Sequence, residues 1–390
     1  MTEGGRFGDG LGVGDDLEAA AEAAVGQALA GLDGAAPDLL CVLVAPGAGA
    51  DPDRVAAAGR RAMALAGARS AIGATAGGVI GDGRGRERGP AVAVWAAVLP
   101  GARIRSFHLP GGADTPPDLP AVAADDRVAA LLVDPYSFPV AEFLDLSNLV
   151  RPGFPLVGGL ASVPGGPRMN RLFADGAVHE HGAVGVLLGG QVETRIVVSQ
   201  GCRPIGPAMT VTRADGNLVA ELAGIPAYRR LVDIVTALPA PEQAMVAHGL
   251  HIGIAIDEYA DEHGRGDFLI RAVLGADERS GVVAVGQSVQ VGQTVRFQIR
   301  DPAGAREDLV ELLGGAAPRP GGGALLFSCN GRGATMFPPP EFGGADHDVR
   351  VVRDALGAPG VAGFFAAGEI GPVGGRNHLH GFTASLLIFR

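Results

Sequence analysis

The chain has 390 residues, enough for two or three domains and a sizeable core. Hydrophobic residues are 47% and charged residues 19%, which excludes wholesale disorder, and a net charge of −11 argues against a general nucleic-acid or anionic-membrane binder. All 31 basic residues are arginine, so a Schiff-base lysine, a phosphate-loop lysine and a biotin or lipoyl attachment are excluded.

Residues 1–14 are glycine-rich, lack an apolar signal-peptide core and are expected to be mobile. Asp15 and Asp16 then read as a helix N-cap before an alanine-rich run to about Leu32, closed by Gly34 and Pro37. From there one order of elements occurs three times. An apolar strand comes first (39–45, 128–133, 324–328). A turn with Gly or Pro follows, then a helix (54–68, 141–149, 347–356) and a glycine-rich strand (71–81, 155–162, 360–371). A polar loop leads to a last apolar strand (91–101, 182–190, 381–389).

The first two strands of each unit can lie parallel through a right-handed crossover. The last two are expected to pair antiparallel. Between the second and third units, 191–201 reads as a strand and 209–222 as a hairpin on Asp215-Gly216-Asn217. A helix from Ile225 and four antiparallel strands follow, then a helix 301–315 and the loop APRPGGG. The fold class expected is α+β: mixed sheets with helices packed outside, built from three β-α-β-loop-β units plus an antiparallel insert. The longest apolar stretch, about 91–99, is too short to span a bilayer. Cys41, Cys202 and Cys329 are few, odd in number and far apart, which fits a reducing cytoplasm.

The densest chemistry lies near the C-terminus: Glu369, then Arg376, Asn377, His378 and His380, then Thr383. A carboxylate at the end of an apolar strand needs a partner, and Arg376 is the nearest cation in sequence. His378 and His380 share a side of an extended chain, so with Glu369 they could bind a metal, though no third-ligand motif accompanies them. A polar wall for a small ligand is the preferred reading. A second group is Ser328-Cys329-Asn330-Gly331-Arg332-Gly333, whose turn amides and Arg332 suit an anion. Cys329 beside a guanidinium is the candidate nucleophile, should the protein be an enzyme. A third group, Gln200 to Pro207, holds Arg203 on a rigid backbone, apt for clamping a carboxylate.

His179 and His181 read as solvated loop histidines, and His248 and His251 as structural residues at the start of a strand. The 81–89 loop reads as an exposed hairpin tip and 257–267 as a charged one. No GxSxG, HExxH, P-loop or GxGxxG motif occurs.

At these groups the sequence resembles the FIST family, sensory domains named for F-box and intracellular signal transduction proteins. The N-terminal match is carried by PDLLCVLVAPG, FPLVGGLAS and QGCRPIGPAMTVTRADGNLVAELAGIPA, and the C-terminal match by LLFSCNGRGATMF and GFFAAGEIGPVGGRNHLHGFTASLLIF. With a boundary placed near residue 222, after the Asp215 hairpin, residues 1–36 are expected to be a flexible start and first helix, 37–221 a FIST N domain and 222–390 a FIST C domain, and the stand-alone arrangement resembles bacterial members. The resemblance implies a sensory module binding a small ligand, with amino acids or their derivatives the proposed class, and carries over no catalytic residues.

The function expected is therefore a cytoplasmic ligand-binding protein, more a sensor than an enzyme. Its pocket combines Arg203, Cys329, Asn330, Arg332, Glu369, Arg376, Asn377, His378 and His380, with no metal or other cofactor and a separate signalling protein as partner. Arginines would take an amino acid's carboxylate and Glu369 its ammonium group. A cysteine- or metal-dependent enzyme and a protein-binding scaffold remain the alternatives.

Overall fold

The computed structural model describes residues 4–49, 51–112, 120–260, 262–314, 322–357 and 360–390. They form two compact units. The larger comprises Met1–Ser199, Leu309–Leu379 and Thr383–Arg390, and the smaller Gln200–Asp308 with His380–Phe382.

The three expected repeats build the larger unit, and each begins one strand earlier than expected. The lead strands are Arg6–Val13, Ala102–Leu109 and Thr194–Gln200. The first strands are Leu39–Ala45, Asp126–Val133 and Gly323–Cys329. Crossover helices Pro52–Ala66, Val140–Val150 and His347–Leu356 lead to second strands Ser70–Thr75, Leu156–Leu160 and Val361–Ala366. Short hairpins follow: Val79–Gly81 with Arg84–Arg86, Leu172–Ala174 with Ala177–His179, and Glu369–Val373 with Arg376–His380. The last strands are Ala91–Val98, Ala183–Gly190 and Thr383–Phe389.

These strands make three six-stranded sheets of one design, ordered lead, last, first, second and then a hairpin. The first and second strands are parallel and the last runs antiparallel to the first. The hairpin always comes from another repeat: the first repeat's joins the third sheet, the second's the first sheet and the third's the second. Two expectations are corrected here. The glycine-rich stretches 71–81 and 360–371 are each two strands in different sheets, not one. The last strand pairs with the first rather than the second, whose free edge is taken by the exchanged hairpin. That exchange satisfies edge amides that would otherwise be exposed.

The strands alternate strictly between two faces. Leu39, Cys41 and Leu43, Val128, Ala130 and Leu132, and Leu325 and Phe327 point into one core shared by all three sheets. Trp95, Phe364 and Phe389 fill its centre, and the Trp95 indole N–H donates to Gly360 O at 2.8 Å. The intervening residues meet the helices. Leu40, Val42 and Val44 pack on Ala20, Ala24, Ala28 and Ala62, while Leu326 and Leu386 pack on Leu309, Val349 and Val352. No helix among the described residues is long and apolar enough to cross a membrane.

The glycine-rich start is a strand, not a mobile tail. Asp16 caps the helix Leu17–Ala30 by accepting from the amides of Glu18 and Ala19. Gly8, Gly10 and Gly12 face that helix so closely that a Cβ on each would lie 2.0, 2.1 and 1.9 Å from the carbonyls of Ala28, Ala24 and Ala20. Four residues of helix rise about 6 Å and two of strand about 6.8 Å, so the two small-residue stripes stay in step. Gly10→Ala is expected to destabilise by about 1–3 kcal/mol. Gly26→Ala, on the same helix with open space around it, should stabilise by about 0.5–1 kcal/mol. Urea unfolding of both variants checks the contrast.

The smaller unit carries an eight-stranded sheet, chiefly antiparallel hairpins. The hairpin Met209–Asp215 with Leu218–Leu222 turns at Asp215-Gly216-Asn217 as expected, with Gly216 at φ 55°. Helix Ala227–Ala237 and strands Leu250–Ala255, Phe268–Asp277, Val282–Val285 and Thr294–Arg300 follow. The helix Ala240–His248 was not expected, and it places His248 at a helix end rather than in a strand. The side chain of His248 and most of the APRPGGG loop lie outside the described residues.

Candidate functional site

The register of the repeats supplies an internal control. Val42, Leu131 and Leu326 of the first strands pair with Gly73, Gly158 and Gly363 of the second. Those glycines pair in turn with Phe173, Ile370 and Ile80 of the exchanged hairpins. One residue along the hairpins, Leu172 and Val79 correspond to Glu369. Two residues along the first strands, Val44 and Val133 correspond to Ser328. On the last strands, Ala91 and Gly182 correspond to Thr383. Two copies of this fold are built with apolar or small residues at these positions, whereas the third has an acid and two hydroxyls, all fully buried. Folding alone does not demand a carboxyl there.

Glu369 Oε2 accepts from the Thr383 hydroxyl at 2.8 Å and from the Thr383 amide at 3.2 Å. Burial pushes its carboxyl up to about 8, against the opposing pull of Thr383, the Arg332 charge and the Cys329 thiol. At neutral pH it therefore holds its proton.

The neighbouring wall is an ion pair. Cys329 ends its strand and the chain turns at once, with the Asn330 amide donating to Ala366 O and the Arg332 amide to Cys329 O, both at 2.8 Å. Arg332 thereby points inward, where Nε and Nη2 donate to the two carboxyl oxygens of Asp348 at 2.9 Å each. Ser328 Oγ donates to the same carboxylate at 2.8 Å, and His347 Nδ1 lies 3.0 Å from it. Burial alone would raise Asp348, but Arg332 and His347 hold it far below the usual carboxylate range. Phe337 closes the cluster, stacked 3.6 Å from the His347 ring and 5.3 Å from the Arg332 guanidinium carbon. Asp348 and His347 were not anticipated. The available signal was an acid among the core positions of an amphipathic helix, beside Val349, Val352 and Leu356.

Cys329, Arg332 and Glu369 thus belong to one buried cluster, with Asn330 exposed at its turn. Arg376 is exposed and Glu369 fully buried, so Arg376 is not the partner of that acid. Asn377 spends its side chain on a clasp. Its Oδ1 accepts from the Leu156 amide at 2.8 Å, and its Nδ2 donates to Phe154 O at 2.8 Å and Ser147 Oγ at 3.3 Å. His378 is half-buried, and His380 is a buried residue of the smaller unit. Arg203 also belongs to the smaller unit, where it pairs with Asp301 at 2.9 Å and Glu242 at 3.3 Å.

The loop histidines are not simply solvated. The His179 ring stacks 3.7 Å from that of His108, and His179 is lowered by burial and by the two neighbouring histidines. His251 is buried in the smaller unit, lowered to about 4 by burial and by Arg300. Among the described residues no three His, Cys, Asp or Glu side chains form a group that could hold a metal ion.

Residues 38–225 match the FIST N domain and residues 225–372 the FIST C domain. The uncharacterized protein Mb0898c of Mycobacterium bovis is 43% identical over 393 residues, covering 98% of both chains. The uncharacterized protein Rv0628c of Mycobacterium tuberculosis is 43% identical over 393 residues, covering 98% of this chain and 99% of its own. The smaller compact unit straddles residue 225, where the two matched domains meet.

Proposed function

The chain belongs to the FIST family, and from that premise we propose that it is a cytoplasmic sensory protein whose ligand is a small amine, an amino acid or derivative, received at Glu369. FIST domains are associated with signal transduction and small-ligand sensing. The observation that carries the reading is the buried Glu369 at a position where the other two repeats have Val79 and Leu172. A neutral buried acid is poised to ionise when a cation arrives beside it, because the new ion pair offsets the desolvation that raised it. Cys329 and Asn330 are proposed to contact the same ligand. Arg332, bound to Asp348, holds the wall and adds positive potential for a ligand carboxylate. The buried cysteines Cys41, Cys202 and Cys329 are not in disulfides, which supports a reducing compartment. Occupancy would be reported to a separate signalling protein.

A thermal-shift and calorimetric screen of amino acids and simple amines tests this. Pairing an ammonium group with Glu369 expels its proton. Apparent affinity should therefore rise about tenfold per pH unit up to about pH 8 and then level. Glu369→Gln should remove binding while leaving the protein folded. A hit that binds Glu369→Gln equally well, or with no proton release, would overturn the assignment. The alternatives leave different marks: turnover lost in Cys329→Ser points to an enzyme, and co-purification of one protein without any ligand response points to a scaffold.

A further inference from the structure

A groove of about 440 Å³ lies in the larger unit, at the start of a first strand, whereas the Glu369 cluster sits at the end of one. It is lined by Arg127, Pro155, Val192, Glu193, Thr194, Ile196 and Arg390. From these residues we infer a second binding site, for a small anion of two or more charges on a short apolar frame.

Four observations carry the inference. Among the described residues, neither the Arg127 nor the Arg390 guanidinium has a carboxylate partner. In a chain with 42 acidic and 31 basic residues, a hollow faced by two guanidinium groups and one side-chain carboxylate, Glu193, runs against the overall balance. Arg195, next to the groove on the lead strand, donates to Leu312 O and is lowered by burial and by the charge of Arg390. Like charges are thus held together at a cost that a bound anion would relieve. The hollow also lies within the size range of metabolite sites, and Val192, Ile196 and Pro155 offer apolar surface to a carbon frame. Planar guanidinium forks suit carboxylates and phosphates equally. The shared chemistry is therefore a dianion, and the probes separate its sources.

The test is thermal melting and calorimetry of the full chain in low-salt buffer with inorganic phosphate and, separately, with succinate. Saturable stabilisation by at least one is expected, weakened by added salt. Response to phosphate alone assigns a phosphorylated ligand, and response to succinate a dicarboxylate. Arg127→Gln should weaken binding by about tenfold and Arg127→Gln/Arg390→Gln should abolish it, with circular dichroism checking the fold. Glu369→Gln should bind as the native chain does, so failure here and failure of the Glu369 reading are separable. Absence of saturable binding by either anion, or an unchanged response in the arginine variants, would overturn the inference.

Discussion

Glu369→Gln is expected to stabilise the protein by several kcal/mol at pH 8 and by about 1 kcal/mol or less at pH 5. In the folded chain burial raises the Glu369 carboxyl to about 8, from a usual value of 4.5. Between those values the folded state binds a proton that the unfolded state lacks. The stability that this proton carries is complete below about pH 4.5 and is lost as pH climbs towards about 8. The gap corresponds to roughly 5 kcal/mol. Glutamine keeps an oxygen that can accept from Thr383 but does not titrate, so the variant should lack this loss. Urea unfolding at intervals between pH 5 and pH 9 reads it directly. Parallel stability curves for the two proteins would mean that Glu369 is hydrated or paired, and the buried-acid account would fail.

The opposite sign is expected at Asp348. Asp348→Ala leaves the fully buried Arg332 guanidinium without its two acceptor oxygens, at a cost of roughly 3–5 kcal/mol. Ser328 and His347 lose a partner in the same step. Because Arg332 and His347 overcome the effect of burial and depress Asp348, its contribution is present above its usual 3.8. It is lost as pH falls towards the depressed folded value. Arg332→Met/Asp348→Leu should recover most of the loss, since replacing a whole buried pair removes both desolvation penalties. Chemical unfolding of the single and double variants tests this. A double variant no more stable than Asp348→Ala would show that the turn depends on the ion pair for its shape.

Much of the framework was legible because it rests on local rules. The first strand Leu39–Ala45 and the helix His347–Leu356 fall at their expected limits, since strand alternation and helix ends are written in neighbouring residues. The threefold recurrence was visible for the same reason. The lead strand Arg6–Val13 was missed because Gly8, Gly10 and Gly12 look like disorder until the alanine stripe of the next helix lies against them. Within the candidate site, Cys329 and Glu369 stood out as polar residues at the ends of apolar strands, and Arg332 as a cation in the turn after one. The partner of Arg332 did not, because nothing local to the helix of Asp348 says that its buried face meets a guanidinium.

The order of residues alone therefore determined which segments become strands and helices, that one unit recurs three times, and that lysine chemistry is absent. Only the tertiary structure decided that each hairpin leaves its own repeat, that Arg332 faces Asp348, and that Glu369 lies buried beside Thr383. The physical reason is range. Backbone propensity and side-chain periodicity act over a few residues, whereas edge pairing, desolvation and ion pairing depend on which distant segments fold against one another.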